Sequence, residues 1–238
     1  MSKIFLIRHG QASFLEDDYD NLSNKGIEQS EALGTYFLNN EIHFDKIYIG
    51  NLKRHRQTFE AYSKAFIGGN IEIAEPVFLE ELNEHMALDA FKLAYDDFIL
   101  TNENANALFE EIKHKPHLQQ SNYIQIFSLF FSEFVLGKYP LNGHAVQSWS
   151  DFRIQAKKGI ATILDNTNSG ETVGVFTSGG TKSSIIGDSL DLADQKISEL
   201  NMAIRNTSFS QLYFSRSKLN ILSINEIPHL IKELITFV

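Results

Sequence analysis

The sequence predicts an α/β fold of three layers: a mostly parallel sheet with helices on both faces, a helical insertion (cap) after the third strand, and an antiparallel edge hairpin at the C-terminus. Three observations carry this. Short β-type runs alternate with helical stretches, the pattern of βαβ units. More than ninety residues separate the third strand run from the fourth, too many for a simple crossover. Near the C-terminus, the runs Gln211–Phe214 and Leu219–Ile224 flank Ser215 to Lys218, as a hairpin requires.

Each element follows from local chemistry. Ile4-Phe5-Leu6-Ile7 is a buried strand that delivers Arg8-His9-Gly10 to its carboxyl end, where ligands collect in open α/β sheets. After a polar loop, Ser23 is placed to cap a helix that runs to about Leu38, with Leu22 and Ile27 as a hydrophobic staple and Asn39-Asn40 as stop residues. Lys46–Ile49 makes a second strand that ends at Gly50-Asn51. Asn51 then caps a second helix, striped by Phe59, Tyr62 and Phe66. Ile71–Val77 reads as the third strand. Glu171–Thr177 reads as the fourth, followed by Gly179-Gly180 and a helix from Thr181 to about Leu190. The segment 85–150 holds 11 of the 28 aromatic residues and few strand signals, with Phe127, Phe130, Phe131 and Phe134 at helical intervals. It is read as a cap within a single domain spanning 1–238, its aromatics serving core packing before substrate contact.

Composition narrows the function. With 238 residues, 43% hydrophobic and 21% charged, the chain is globular. A net charge of −9 argues against nucleic acid as a partner. The absence of cysteine removes disulfides, thiolate metal sites and thiol nucleophiles. No apolar run is long enough to span a bilayer, and the first residues lack a signal-peptide layout, so the expectation is a cytoplasmic protein without membrane association.

If the first, second and fourth strands are neighbours, their carboxyl ends bring Arg8-His9, the run Lys53-Arg54-His55-Arg56 and Ser178-Gly179-Gly180 to one rim. Cations in the first turn of a helix oppose its dipole, which makes sense if an anion sits between them. Guanidinium forks, helix N-termini and an imidazole suit phosphoryl transfer. His9 is the candidate nucleophile, with its other ring nitrogen held by a backbone carbonyl. Glu80, Glu81 and Glu84 are the candidate general acids.

Taken together, Leu6-Ile7-Arg8-His9-Gly10, Leu22-Ser23 with Gly26, and Leu52-Lys53-Arg54 with Gln57-Thr58 resemble the histidine phosphatase superfamily, in the branch that includes cofactor-dependent phosphoglycerate mutases. The resemblance implies a phosphohistidine at His9, phosphate clamping by Arg8 and Arg54, and an acid from a Leu-x-Glu pattern. That pattern occurs twice; Glu84 is chosen because Leu82-Asn83-Glu84 followed by His85 is closer to the mutase version, with Glu81 as the alternative. Two positions depart from the family. Its fourth strand ends in Ser-His-Gly, whereas Thr177-Ser178-Gly179 stands here; replacing a charge-assisted contact with a neutral one costs roughly 1–2 kcal/mol, about tenfold in rate. His55, His85 and His144 are candidates to compensate. After Gly10, where the family has Thr and then Asn, Ala12 and Leu15 leave Gln11, Ser13 or loop amides to contact phosphate.

The leading expectation is therefore a phosphomonoesterase of the histidine acid phosphatase type that uses no metal or cofactor and acts on a small phosphorylated substrate. His9, Glu84, Arg8 and Arg54 are assigned to catalysis, and Gln11, Ser178 and Gly179 to phosphate binding. The sequence is compatible with a homodimer and leaves oligomeric state open. The runner-up is a phosphoglycerate mutase-type phosphotransferase, disfavoured because the insertion carries seven acidic residues against four lysines and no arginine. A third reading, a phosphate- or protein-binding module that has lost catalysis, rests on Ser178. A P-loop is excluded because Thr181 and Phe176 stand where its glycines are required.

Overall fold

Along the first strand, β1 (Ser2–Arg8), side chains alternate between two cores. Ile4 and Leu6 join one apolar cluster, Phe5 and Ile7 another, and all four are essentially inaccessible to water. A strand buried on both faces must lie inside a covered sheet. The computed structural model, which describes residues 1–13, 20–139, 145–215 and 218–237, shows that arrangement. Its other strands are β2 (Lys46–Ile49), β3 (Pro76–Phe78), β4 (Thr172–Thr177), β5 (Phe209–Ser215) and β6 (Lys218–Glu226). They form one sheet in the order β3-β2-β4-β1-β5-β6. The first four run parallel, and β5 and β6 add the antiparallel edge. The fold class read from the sequence is the one observed.

The helices are α1 (Asn24–Asn39), α2 (Lys53–Gly68), α3 (Ala87–Thr101), α4 (Glu103–His114), α5 (Gln119–Val135), α6 (Trp149–Asp165), α7 (Gly179–Ser189) and α8 (Asp194–Ala203). α1 and α2 cover one face of the sheet through Leu33, Phe37, Tyr62 and Phe66. α6 and α7 cover the other through Ile160, Ile163, Ile185 and Ile186. Ser23 caps α1 as expected, its hydroxyl accepting the Gly26 N–H at 3.1 Å, an arrangement worth about 1 kcal/mol. Between β3 and β4, helices α3, α4 and α5 build a separate apolar cluster around Phe91, Phe98, Phe130 and Phe131, which also takes in Trp149 and Phe152 of α6. Among the described residues no helix is long and apolar enough to cross a membrane.

Local expectations fail in four places. The third strand is only three residues long, because β2 offers only Ile47–Ile49 as partners to Pro76–Phe78. Ile71 and Ile73 leave the ladder and pack on the α1/α2 core instead. α7 begins at Gly179, two residues before the expected Thr181, with Ser178 as its cap residue. Asn51 does not cap α2: Leu52 holds that position, and the Asn51 N–H is bonded to Asn83 Oδ1 at 2.7 Å. α8, whose sequence has only a weak apolar stripe, was not anticipated; it buries Ile197.

Candidate active site

Since β2, β4 and β1 lie side by side and parallel, their carboxyl ends share one edge of the sheet. His9 follows β1 directly, its N–H continuing the ladder to the Thr177 carbonyl at 2.9 Å. The next residues are fixed by the side chains that carried the resemblance. Thr58 Oγ1 accepts the Gly10 N–H at 3.0 Å, and Gln57 Oε1 accepts the Leu22 N–H at 2.8 Å. A methyl group on Gly10 would strike the Gly26 carbonyl and the Ser30 hydroxyl, so only glycine lets the chain pass this close to α1.

The His9 ring is buried and oriented at both nitrogens. Nδ1 lies 2.7 Å from the Gly10 carbonyl, which can only accept, so Nδ1 carries the proton. Arg54 Nε donates to Nε2 at 3.1 Å, so Nε2 presents a lone pair. Burial, then the charges of Arg54 and Arg8 and the nearby His55, hold the imidazole pKa well below its usual 6.5. The ring is held in its neutral form, with its unprotonated nitrogen facing a guanidinium.

Arg54 sits in the first turn of α2, buried, with Nη1 2.7 Å from Asp20 Oδ1. The other Asp20 oxygen accepts the Lys53 N–H at 2.8 Å. The anion expected at this helix start is thus an internal carboxylate, which orients Arg54 and satisfies a terminal N–H. The basic run divides accordingly. Arg54 and His55 turn inward, while Arg56 stacks over the exposed Phe78 ring at 4.3 Å. Arg8 Nη1 donates to the Ile204 carbonyl and, at 2.7 Å, to the Phe237 carbonyl, anchoring the guanidinium beside His9.

The acidic cluster also divides. Glu81 pairs with Lys158 of α6 at 2.8 Å, and this bond lowers its carboxyl pKa. It lies off the cavity, whereas Glu84 lines the same cavity as Arg8, His9 and Arg54. The Glu84 carboxylate accepts the His85 N–H at 3.0 Å and the Gly180 N–H at 3.2 Å. A methyl on Gly180 would land on Glu84 Oε1 and the His85 ring. Gly180→Ala is therefore expected to push the carboxylate from its seat and lower kcat on a phosphomonoester by about 100-fold, the scale of a lost general acid. Steady-state kinetics with parallel thermal melting would check this; an unchanged kcat in a folded protein would remove Glu84 from the site.

Three positions assigned to phosphate binding, Gln11, Ser178 and Gly179, are not among the residues that line the cavity. The Gln11 side chain accepts from the Ser23 hydroxyl at 3.0 Å and stays with the start of α1. Ser178 is fully buried, its hydroxyl 2.6 Å from His55 Nε2. Gly179 lies under Arg8 and Asn201, where a side chain would meet both, so its role is to let those groups approach. In the loop after Gly10, the Ser13 N–H is bonded to the Asn21 carbonyl at 2.8 Å, and residues 14–19 lie outside the described residues. Of the histidines considered as compensators, His55 meets Ser178 directly, with its ring centroid 5.6 Å from that of His9. His85 lines the cavity, and His144 lies outside the described residues.

The cavity measures about 590 Å³. Several of its walls have no local sequence signal: Tyr123 and Phe127 from α5, Asn201 and Met202 from α8, and Phe237 near the C-terminus. The helical spacing of Phe127 was visible, but whether a ring in that stripe faces core or cavity was not.

Comparison with known proteins bears on the family resemblance and the fold. The model of the histidine phosphatase superfamily (branch 1) matches residues 4–90. A broad-specificity phosphatase of Saccharomyces cerevisiae, YOR283W, is 42% identical over 62 residues, which cover 24% of this chain and 27% of that protein. The chain therefore matches only about a quarter of that relative's length. Among solved structures, a putative alpha-ribazole-5'-P phosphatase from Escherichia coli shares the fold with a TM-score of 0.64 at 14% identity, covering 97% of this chain and 100% of the other. Phosphoglycerate mutase from Bacillus anthracis does so with a TM-score of 0.61 at 16% identity, covering 96% and 94%. The resemblance carried by the motifs and the fold predicted from them therefore hold.

Proposed function

We propose that this chain, which carries the histidine phosphatase superfamily (branch 1) signature over residues 4–90, hydrolyses small phosphomonoesters through a phosphohistidine at His9, with Glu84 as general acid and then general base. The observation that carries this reading is the His9 ring itself: Nδ1 tied to the Gly10 carbonyl, Nε2 unprotonated, and Arg8, Arg54 and Glu84 around one cavity.

In the first step Nε2 attacks phosphorus in line. The N–P bond forms, the P–O ester bond breaks, and Glu84, entering in its acid form, gives its proton to the leaving alkoxide. Arg54 Nε, which donates to Nε2 in the resting site, moves its hydrogen bond to a phosphoryl oxygen, so the charge that orients the nucleophile also neutralises its product. In the second step Glu84 takes a proton from water, the oxygen attacks phosphorus, and the N–P bond breaks to give inorganic phosphate and neutral His9. The lowered His9 pKa supports an enzyme of the acid phosphatase type, since the ring stays unprotonated below neutrality.

Rapid quench of the protein with a ³²P-labelled phosphomonoester tests the proposal. A label on the protein that is stable in base, lost in acid, and absent from His9→Ala supports it. Turnover without such a label, or a label that persists in His9→Ala, would remove the phosphohistidine.

A further inference from the structure

A cavity of about 590 Å³ falls in the range that holds a whole small molecule, so a phosphoryl group at the His9 end leaves most of it for the alcohol. The far wall is formed by Leu88 of α3 and by Tyr123, Ile124 and Phe127 of α5. Its rings are fixed from behind. Phe91, fully buried, meets Tyr123 at 5.5 Å and 68° and Phe127 at 5.5 Å and 72°, both edge to face. Phe127 lies parallel to Phe131, with centroids 5.8 Å apart and planes 7° apart, and Phe131 stacks on His85 at 4.8 Å and 28°. A column of near-parallel rings thus runs from the apolar wall to the residue beside Glu84. Phe127, Tyr123 and Glu84 border the same cavity, so a flat apolar alcohol can meet these fixed rings within the space that holds the phosphoryl site.

Charge supplies the second constraint. Apart from Arg8 and Arg54 at the phosphoryl end, Lys92 is the one lysine or arginine among the described lining residues, and Glu80 and Asp89 stand against it. Away from the phosphoryl end, acidic side chains therefore outnumber basic ones in the lining, which disfavours an alcohol that carries its own carboxylate. Both observations come from packing around the cap helices and are independent of the phosphoryl chemistry.

We infer that the site takes phosphomonoesters of uncharged alcohols with an aromatic or other flat apolar body and discriminates against those whose alcohol bears a carboxylate, an inference that rests on the phosphatase reading above. The test compares 2-phenylethyl phosphate, glycerol 3-phosphate and 3-phosphoglycerate. All three are alkyl esters, which avoids the intrinsic advantage of a phenolate leaving group. The expected kcat/KM for the phenylethyl ester exceeds that for glycerol phosphate by about tenfold, mostly through KM, with phosphoglycerate the poorest. Phe127→Ala is expected to bring the first ratio close to one, and Phe127→Tyr to retain most of it.

Equal or reversed ranking in the wild-type protein overturns the inference, as does a ratio that survives Phe127→Ala. A labelled His9 with a flat ranking would overturn the inference alone. Absence of both turnover and label for all three esters would overturn the phosphatase reading and this inference with it.

Discussion

His9→Ala is expected to lower kcat/KM on any phosphomonoester by about 1,000-fold or more while the protein stays folded. The size follows from the proposed role: an activated nucleophile contributes the bond-making step itself, and its removal would leave only binding and electrostatic stabilisation by the arginines proposed to hold the phosphoryl group. The fold should survive, because the ring makes one hydrogen bond to a backbone carbonyl and one to Arg54, and losing a buried partner costs roughly 1–3 kcal/mol. The wild-type pH profile gives a companion result. Burial and two guanidinium groups hold His9 unprotonated well below 6.5, so protonation of the nucleophile does not set an acid limb near pH 6. A limb there belongs to the second ionisation of the phosphate ester, at about 6, and should move with the ester used. Activity above one tenth of wild type in His9→Ala, or a limb near 6.5 common to all esters, contradicts this account.

What was legible in the sequence was what local chemistry encodes. Ile4–Ile7, Lys46–Ile49 and Thr172–Thr177 are short apolar runs that stop at polar or glycine residues, and a strand buried on both faces has no other way to look. Their shared rim followed from topology, which brought Arg8, His9 and Arg54 together on the page before any coordinate. The choice between Glu81 and Glu84 was not local. Lys158, on a helix more than seventy residues later, takes Glu81, while the Gly180 amide takes Glu84. The start of α2 taught the same lesson. Four basic or neutral side chains pointed to an anion there, but Asp20 supplies the carboxylate from a loop more than thirty residues earlier. Phe237 was equally invisible, since its contact with Arg8 exists only once both chain ends are folded against the same strand edge.

Stability is expected to fall steeply as pH drops from about 6.5 to 5, before most carboxylates titrate. Four histidines have lowered pKa values: His9 and His55 are buried, and His85 and His229 are half-buried. Burial is the first cause of the lowered pKa for His9, His55 and His85, and it brings His229, whose Nε2 lies 2.9 Å from Thr207 Oγ1, down to about 4. The sign follows from proton counting. Between the folded values and the unfolded value near 6.5, the unfolded chain binds more protons, so the contribution of each group is complete above about 6.5 and is lost as pH falls toward its folded value. Each such proton is worth at most about 1.4 kcal/mol per pH unit, so several acting together give a slope of a few kcal/mol per unit, a large fraction of the stability of a typical domain. Lys182, buried with Nζ bonded to the Ser208 carbonyl and hydroxyl at 2.7 and 2.9 Å, has a pKa well below 10.5 and acts in the same direction above neutrality. Urea unfolding at pH 7.5, 6.5 and 5.5 measures the slope. His55→Gln, which keeps an amide within reach of Ser178, should flatten it by about one proton, and a free energy constant between pH 7 and 5 would refute the buried-neutral assignment. The burial that keeps His9 neutral thus makes the fold acid-sensitive.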